Sequence, residues 1–253
     1  MIGRPTTALL VTVALGFAGG AEAAPSPVST CGTLAATGSY ILTANLTASG
    51  DCLVVKADFV TIDLAGFVIS GNGKGSGIST KGNPDGVTVR NGVIQNFKRG
   101  LDLRAAASVV VEGVRVFNNS VRGIQVGADS LVQGNLASGN GDGISVDDNS
   151  LVVGNVASEN AQGGLDIGWN STVTGNTASQ NGQDGLEAGN HNTISNNTAS
   201  SNVHDGISTK CPSNVVANTA VGNQFNLVTI GGPSKNPPKN LGKQCQRVDN
   251  LAP

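Results

Sequence analysis

The stretch that decides the fold is VQGNLASGNGDGISVDDNSL, Val132 to Leu151. It returns as VVGNVASENAQGGLDIGWNST from Val152, VTGNTASQNGQDGLEAGNHNT from Val173, ISNNTASSNVHDGISTKCPSN from Ile194 and VVANTAVGNQFNLVTI from Val215. Laid in register, these segments carry three columns. One is Asn135, Asn155, Asn176, Asn197, Asn218; a second is Asn119, Asn140, Asn160, Asn181, Asn202, Asn223. The third is Gly100, Gly123, Gly143, Gly164, Gly185, Gly206, each followed by Leu or Ile. A fixed period of about twenty-one residues is the mark of a stacked repeat.

A coil of that length cannot hold a helix and strands, but three short strands with tight turns fit it. Apolar residues alternate within the pieces, as at Ile144/Val146, Leu165/Ile167 and Val110 with Val114. That is the period of a strand with one buried face. The glycines are expected to supply positive φ at turns. The asparagines are expected to tolerate the left-handed region and to bond from coil to coil as a ladder. Earlier coils follow a looser version, VTIDLAGFVISG from Val60, GVTVRNGVIQNF from Gly86 and SVVVEGVRVFNN from Ser108.

The expectation is an all-β, single-stranded right-handed parallel β-helix, a solenoid of about eight coils with N- and C-terminal caps. Its expected divisions are 1–23 signal peptide, 24–52 N-terminal cap and first strand, 53–230 repeats and 231–253 C-terminal tail. Arg4, the apolar run Ala8 to Phe17 and Ala21-Glu22-Ala23 form an n-region, an h-region and a cleavage signal. The run is too short for a membrane span of ~20 residues. Export to the periplasm or beyond is expected, with a soluble monomer as the product.

Aromatics make up 3% and charged residues 13% of the chain, and the net charge is -2. Nothing in that balance recruits nucleic acid or anionic lipid. The cysteines fall in two end groups, and local pairing Cys31–Cys52 and Cys211–Cys245 is favoured over pairings that bridge a long rod. An oxidising compartment suits such disulfides.

The pattern N-x(4)-N-x-x-D-G-I followed by V-x-x-N resembles the parallel β-helix repeat of pectate-lyase-like proteins. It is similar to the bacterial β-helix families that include mannuronan epimerases and the periplasmic protein of nitrous oxide reductase maturation. The likeness covers about residues 53–230. It implies the fold; the matching residues build turns and core, so they do not carry an activity.

Stacking turns columns of sequence into columns in space, with ~4.8 Å between coils. Before the turn glycine stand Arg99, Arg122, Asp142, Gly163, Asp184 and Asp205; two residues after it stand Asp102, Gln125, Ser145, Asp166, Glu187 and Ser208. Four carboxylates, Asp166, Asp184, Glu187 and Asp205, are expected to share a patch bordered by His204 and Trp169. Arg99, Arg104, Arg115 and Arg122 form a basic group on earlier coils, spread over more than one face. The functional expectation is a groove for an extracellular polysaccharide. Asp166, Glu187, Trp169 and His204 would contact it. Asp184 and Asp205 would serve as paired acid and nucleophile or base at glycosidase separations of ~5–9 Å. The pectate lyase resemblance implies Arg122 as a proton-abstracting arginine. The four carboxylates are also the candidate Ca²⁺ ligands, since that cation prefers oxygen.

Departures from the resembled families leave catalysis open. The Asp-Pro-His of mannuronan epimerases is missing, and Asn83-Pro84-Asp85-Gly86 only echoes it as a turn. No paired aspartates with a following histidine occur, and Asp147-Asp148 reads as loop. Lyase, hydrolase or epimerase chemistry and plain binding therefore stand together. The alternative is a non-catalytic structural or surface-interaction β-helix, in which Asp and Asn before Gly build turns. A hydroxyl row at Thr177, Thr198 and Thr219 is too short to define a further surface.

Overall fold

The computed structural model describes residues 24–230 and 246–248. The expected signal peptide and most of the C-terminal tail lie outside the described residues. Within them every element is a strand and none is a helix. All pairings are parallel, in one eighteen-stranded and one ten-stranded sheet, a β-solenoid of about nine turns.

One coil shows the plan. Asp142–Val146 lies in the ten-stranded sheet, and Leu151–Val153 and Val156–Ser158 lie in the eighteen-stranded one. The larger sheet is two ribbons sharing a corner, because Val110–Phe117 pairs with both Leu131–Gln133 and Leu136–Ser138. Coiling begins early. Ser26–Val28 and Gly32–Leu34 already supply a rung to each sheet, and the Cys31–Cys52 disulfide ties two successive coils. Cys211 is disulfide-bonded, while its expected partner Cys245 lies outside the described residues. At the other end, Gln246–Val248 pairs with Asn214–Val216 over the last coil.

The interior is a stack of aliphatic columns, such as Ile144, Leu165, Leu186 and Ile207 in register. Val110 is an exception to the expected pattern: it is half-buried, and its neighbour Val111 fills the core. The difference arises because the inward set in this strand is Val111, Val114 and Val116, interrupted by the corner at Gly113, where φ is 61°.

Both asparagine columns are buried ladders. The Nδ2 of Asn135, Asn155, Asn176 and Asn197 each donates to the Oδ1 of the asparagine one coil on, at 3.0 Å. Each backbone N–H donates to the same oxygen, and each amide also reaches a core-strand carbonyl, as Asn155 Nδ2 reaches Val132 O at 2.8 Å. The left-handed conformation falls elsewhere than expected. It belongs to the residue before each ladder asparagine, as at Gly134, Gly154, Gly175 and Asn196, and turns the following side chain inward.

The column Gly100 to Gly206 also has another cause than positive φ. A Cβ on Gly123 would stand 2.7 Å from Gly143 O and 2.9 Å from Asn140 Nδ2. These glycines make room for the ladder and for the next coil. The third corner holds a ladder of mixed identity, Ser130, Ser150, Ser171, Asn192 and Ser213. Backbone N–H groups donate to the next side-chain oxygen, at 3.0 Å from Ser130 to Ser150 and 2.7 Å from Ser171 to Asn192.

Candidate functional site

The outer face of the ten-stranded sheet carries both columns foreseen from the sequence. Register pairs Ser79, Asp102, Gln125, Ser145, Asp166, Glu187 and Ser208 in a single line. Beside it run Arg99, Arg122 and Asp142, and farther along Asp184 and Asp205. Strand alternation sets these side chains outward, because their neighbours Leu101, Ile124, Ile144, Leu165 and Leu186 fill the core.

The carboxylates differ in what surrounds them. Burial is the leading influence on Asp166 and pushes its carboxyl above the ordinary value. Arg122 pulls against that push, Asp142 adds to it, and the Ser145 hydroxyl, 3.5 Å away, and Lys210 oppose it. Asp166 keeps solvent-exposed surface, so its desolvation comes from protein packed around it. Glu187 is pushed up by burial and then by Asp166 and Asp184, and Asp205 by burial and then by Asp184. Asp147, on the rim, is raised by burial, Asp148 and Asp166. Repulsion between the carboxylates is thus real but second to desolvation.

Asp184 and Asp142 also brace the next coil. Asp184 Oδ1 accepts the Asp205 N–H at 3.0 Å, and Asp142 Oδ1 accepts that of Gly163 at 3.4 Å. His204 Nδ1 stands 3.9 Å from Asp184 Oδ1. Trp169 is 55% exposed on the opposite rim, with Asp148 Oδ1 accepting its backbone N–H at 2.6 Å. Its indole covers Gly189, where any Cβ would stand 2.1 Å from the ring. Among the described residues no three His, Cys, Asp or Glu side chains are grouped to hold a metal ion. The four carboxylates instead spread along the axis rung by rung.

The earlier rungs are basic. Arg104 Nε lies 3.3 Å from Asp102 Oδ1, Arg99 Nε lies 3.8 Å from Asp102 Oδ2, and Arg122 Nε donates to Asp142 Oδ2 at 3.3 Å. Arg115 is apart on the eighteen-stranded sheet, over the Phe117 ring at 5.2 Å. Gln125 and Ser145 point outward yet are only 8% and 7% exposed, so this end of the face is recessed. Gln125 Oε1 and Arg99 Nε are buried there without a hydrogen-bond partner, and Asp102 Oδ1 has only the poorly aligned contact with Arg104. Sequence reading placed Gln125 and Asp102 in the column but gave them no role. A glutamine among serines and acids looks like any solvated position.

Fold and face together define a parallel β-solenoid with one continuous polar face, basic at its N-terminal end and acidic towards its C-terminal end. The chain belongs to the NosD family, whose description is periplasmic copper-binding protein (NosD); the match covers residues 56–238. No curated protein matches the sequence. Among solved structures, the periplasmic alginate epimerase AlgG is 12% identical over 89% of this chain and 77% of its own, with a TM-score of 0.55. The A-module of the Azotobacter vinelandii mannuronan C-5 epimerase AlgE4 is 13% identical over 89% of this chain and 85% of its own, with a TM-score of 0.55. The corresponding AlgE6 module is 14% identical over 91% of both chains, with a TM-score of 0.53. At these identities the likeness is one of fold.

Proposed function

We propose that this is an exported, periplasmic β-solenoid protein that binds a polysaccharide along the outer face of its ten-stranded sheet. One observation carries the reading: a single register line sets Asp102, Gln125, Ser145, Asp166, Glu187 and Ser208 along that face. A line of hydrogen-bonding groups repeating at ~4.8 Å suits a long, hydroxyl-rich chain better than a compact ligand. Trp169 at the rim offers an exposed ring on which a sugar can stack. The glycan-acting names of the structural neighbours, the periplasmic family description and the Cys31–Cys52 disulfide support the same reading.

In the catalytic form of this proposal, Asp166, Glu187 and Asp205 are the acid and base candidates. A carboxyl held above its ordinary value keeps its proton closer to neutral pH, which general acid catalysis needs. Arg122 lies on the adjoining column, though its donation to Asp142 restrains it from acting as a base. The non-catalytic reading draws support from Asp142 and Asp184, whose carboxylates are engaged in bracing backbone.

The family description names copper, and the described residues do not group the ligands that ion favours. Cu(I) favours thiolate and thioether ligands. The sole methionine is Met1, Cys31 and Cys52 are joined, and Cys211 is disulfide-bonded. His191 and His204 belong to no group of three metal-ligating side chains among the described residues. No step of the proposal runs through copper.

The test is incubation of the exported chain with a panel of neutral and acidic polysaccharides. Binding is read by calorimetry, lyase products by ultraviolet absorbance and hydrolysis by new reducing ends. Saturable binding of at least one polysaccharide is expected. Binding to none of them overturns the proposal, and binding without product formation selects the non-catalytic form.

A further inference from the structure

The face that the glycan reading uses is not uniform in charge. Arg99 and Arg104 both face Asp102 at one end and Arg122 pairs with Asp142 on the rung beyond, so three guanidinium groups meet two carboxylates and positive charge is in excess. Beyond Ser145 the outward charges are Asp166, Asp184, Glu187 and Asp205, with Lys210 beside Glu187. The basic end is also the recessed end. There Gln125, nine-tenths buried, presents an Oε1 without a hydrogen bond, and the Arg99 Nε, 3.8 Å from Asp102, likewise makes none. An unmet buried polar group is costly, so two on neighbouring rungs mark a place fitted to a polar group from outside.

We propose that the recess formed by Arg99, Asp102, Arg104, Arg122, Gln125 and Ser145 seats one anionic sugar, and that the acidic rungs beyond it reject a second. The ligand is then a glycan with isolated negative charges, not a continuous polyanion. The inference rests on the glycan reading above and adds to it the charge pattern of the ligand.

The chemistry follows from the groups present. Guanidinium groups receive an oxyanion, carboxylate or sulfate, through charge-assisted hydrogen bonds. Asp102 and the Gln125 carbonyl accept from the hydroxyls of the same sugar, so an anion without a sugar satisfies only part of the recess. A glycan lying along the axis carries its next sugars over Asp166 and Glu187. Burial already raises both carboxyls, and the charge of Asp166 adds to the rise at Glu187. A second carboxylate there meets like charge within the screening length of ~8 Å, whereas a neutral sugar meets only acceptors.

Four oligosaccharides of equal length provide the test: neutral, neutral with one terminal uronate, neutral with one terminal sulfate, and an unbroken polyuronate. Calorimetry at low salt should show at least one singly charged ligand bound tenfold or more tighter than the neutral one. Comparing the uronate with the sulfate identifies which oxyanion the recess takes. The polyuronate should bind at least tenfold more weakly than the better single-charge ligand. Arg99→Gln combined with Arg122→Gln should erase the preference for charge. Asp166→Asn combined with Glu187→Gln should lift the penalty on the polyuronate. Arg104→Gln, on a half-exposed side chain, gives a severalfold loss of the preference even where the double arginine variant fails to fold. Tightest binding of the polyuronate, or equal binding of the neutral and both singly charged ligands, overturns this inference and leaves the glycan reading intact. Binding of none of the four overturns both.

Discussion

The coils before Asn118 and those after it close the same solenoid by different means. Among the described residues, ten Leu, Ile or Phe side chains before Asn118 are less than 2% exposed, Phe97, Leu101 and Ile94 among them, against six after it. Successive rungs there are up to 27 residues apart, as from Ile62 to Val89. From Asn118 to Ile230 the spacing falls to 20 or 21, and one whole core column is alanine: Ala137, Ala157, Ala178, Ala199 and Ala220. Wide coils are filled by volume. Narrow coils are held by hydrogen-bonded ladders that repeat the same contact each turn. Volume tolerates many combinations of side chains, but a ladder whose amides both donate and accept demands asparagine at every rung.

The largest expected effect comes from breaking a ladder. Asn155→Leu removes the acceptor of the Asn135 N–H and amide and the donor to Val132 O, all buried. Orphaning groups of this kind costs roughly 3–6 kcal/mol. Ile94→Ala in the earlier coils should cost about 3 kcal/mol, set by cavity formation. Chemical denaturation measures both. Equal or reversed costs would show that the ladders decorate the later coils and do not hold them.

Next in size is a pair of glycines. Gly123→Ala drives a methyl into Gly143 O and the Asn140 amide, whereas Gly134 has φ 63° and open space around its Cβ position. The first should cost about 2–3 kcal/mol through overpacking, the second about 1–2 kcal/mol through backbone conformation alone. Similar values would return the glycine column to a turn role.

A smaller effect distinguishes the acidic rungs from the basic ones. Asp166 and Glu187 have carboxyls raised above their ordinary 3.8 and 4.5, chiefly by burial. A raised carboxyl contributes stability below its unfolded value and loses it as pH rises through the folded one. The melting temperature should therefore fall as pH rises above the ordinary ionisation of these carboxyls, 3.8 and 4.5. Asp166→Asn with Glu187→Gln should flatten that part of the profile. A profile unchanged by the double substitution would remove desolvation of these carboxyls from the account.

The same comparison explains what the sequence made legible. Asn176 and Asn197 repeat because their hydrogen bonds repeat, so their columns, the coil length and the face shared by Asp166 and Glu187 could all be read directly. The Ser130-to-Ser213 ladder escaped because serine and asparagine supply the same acceptor at that corner, and identity is no guide where only the oxygen matters. The glycine column was visible, but its reason was not: close approach of Gly143 O to Gly123 is a distance between coils. Gln125 was placed correctly in its column, while its burial depends on flanking side chains that register alone does not show. Arg115 was read in a basic group spread over more than one face, and its strand Val110–Phe117 indeed lies in the eighteen-stranded sheet.

The central claim, that the outer face of the ten-stranded sheet is where a glycan binds, is tested most directly by blocking it. Ser145 lies in the middle of that face, and Thr198 lies outward on the other sheet. Ser145→Arg and Thr198→Arg should both fold, as judged by unchanged strand content in circular dichroism. Calorimetric titration with whichever polysaccharide the wild-type chain binds should show at least a tenfold loss of affinity for Ser145→Arg and none for Thr198→Arg. Full affinity in Ser145→Arg together with loss in Thr198→Arg would contradict the account and move the binding surface to the eighteen-stranded sheet.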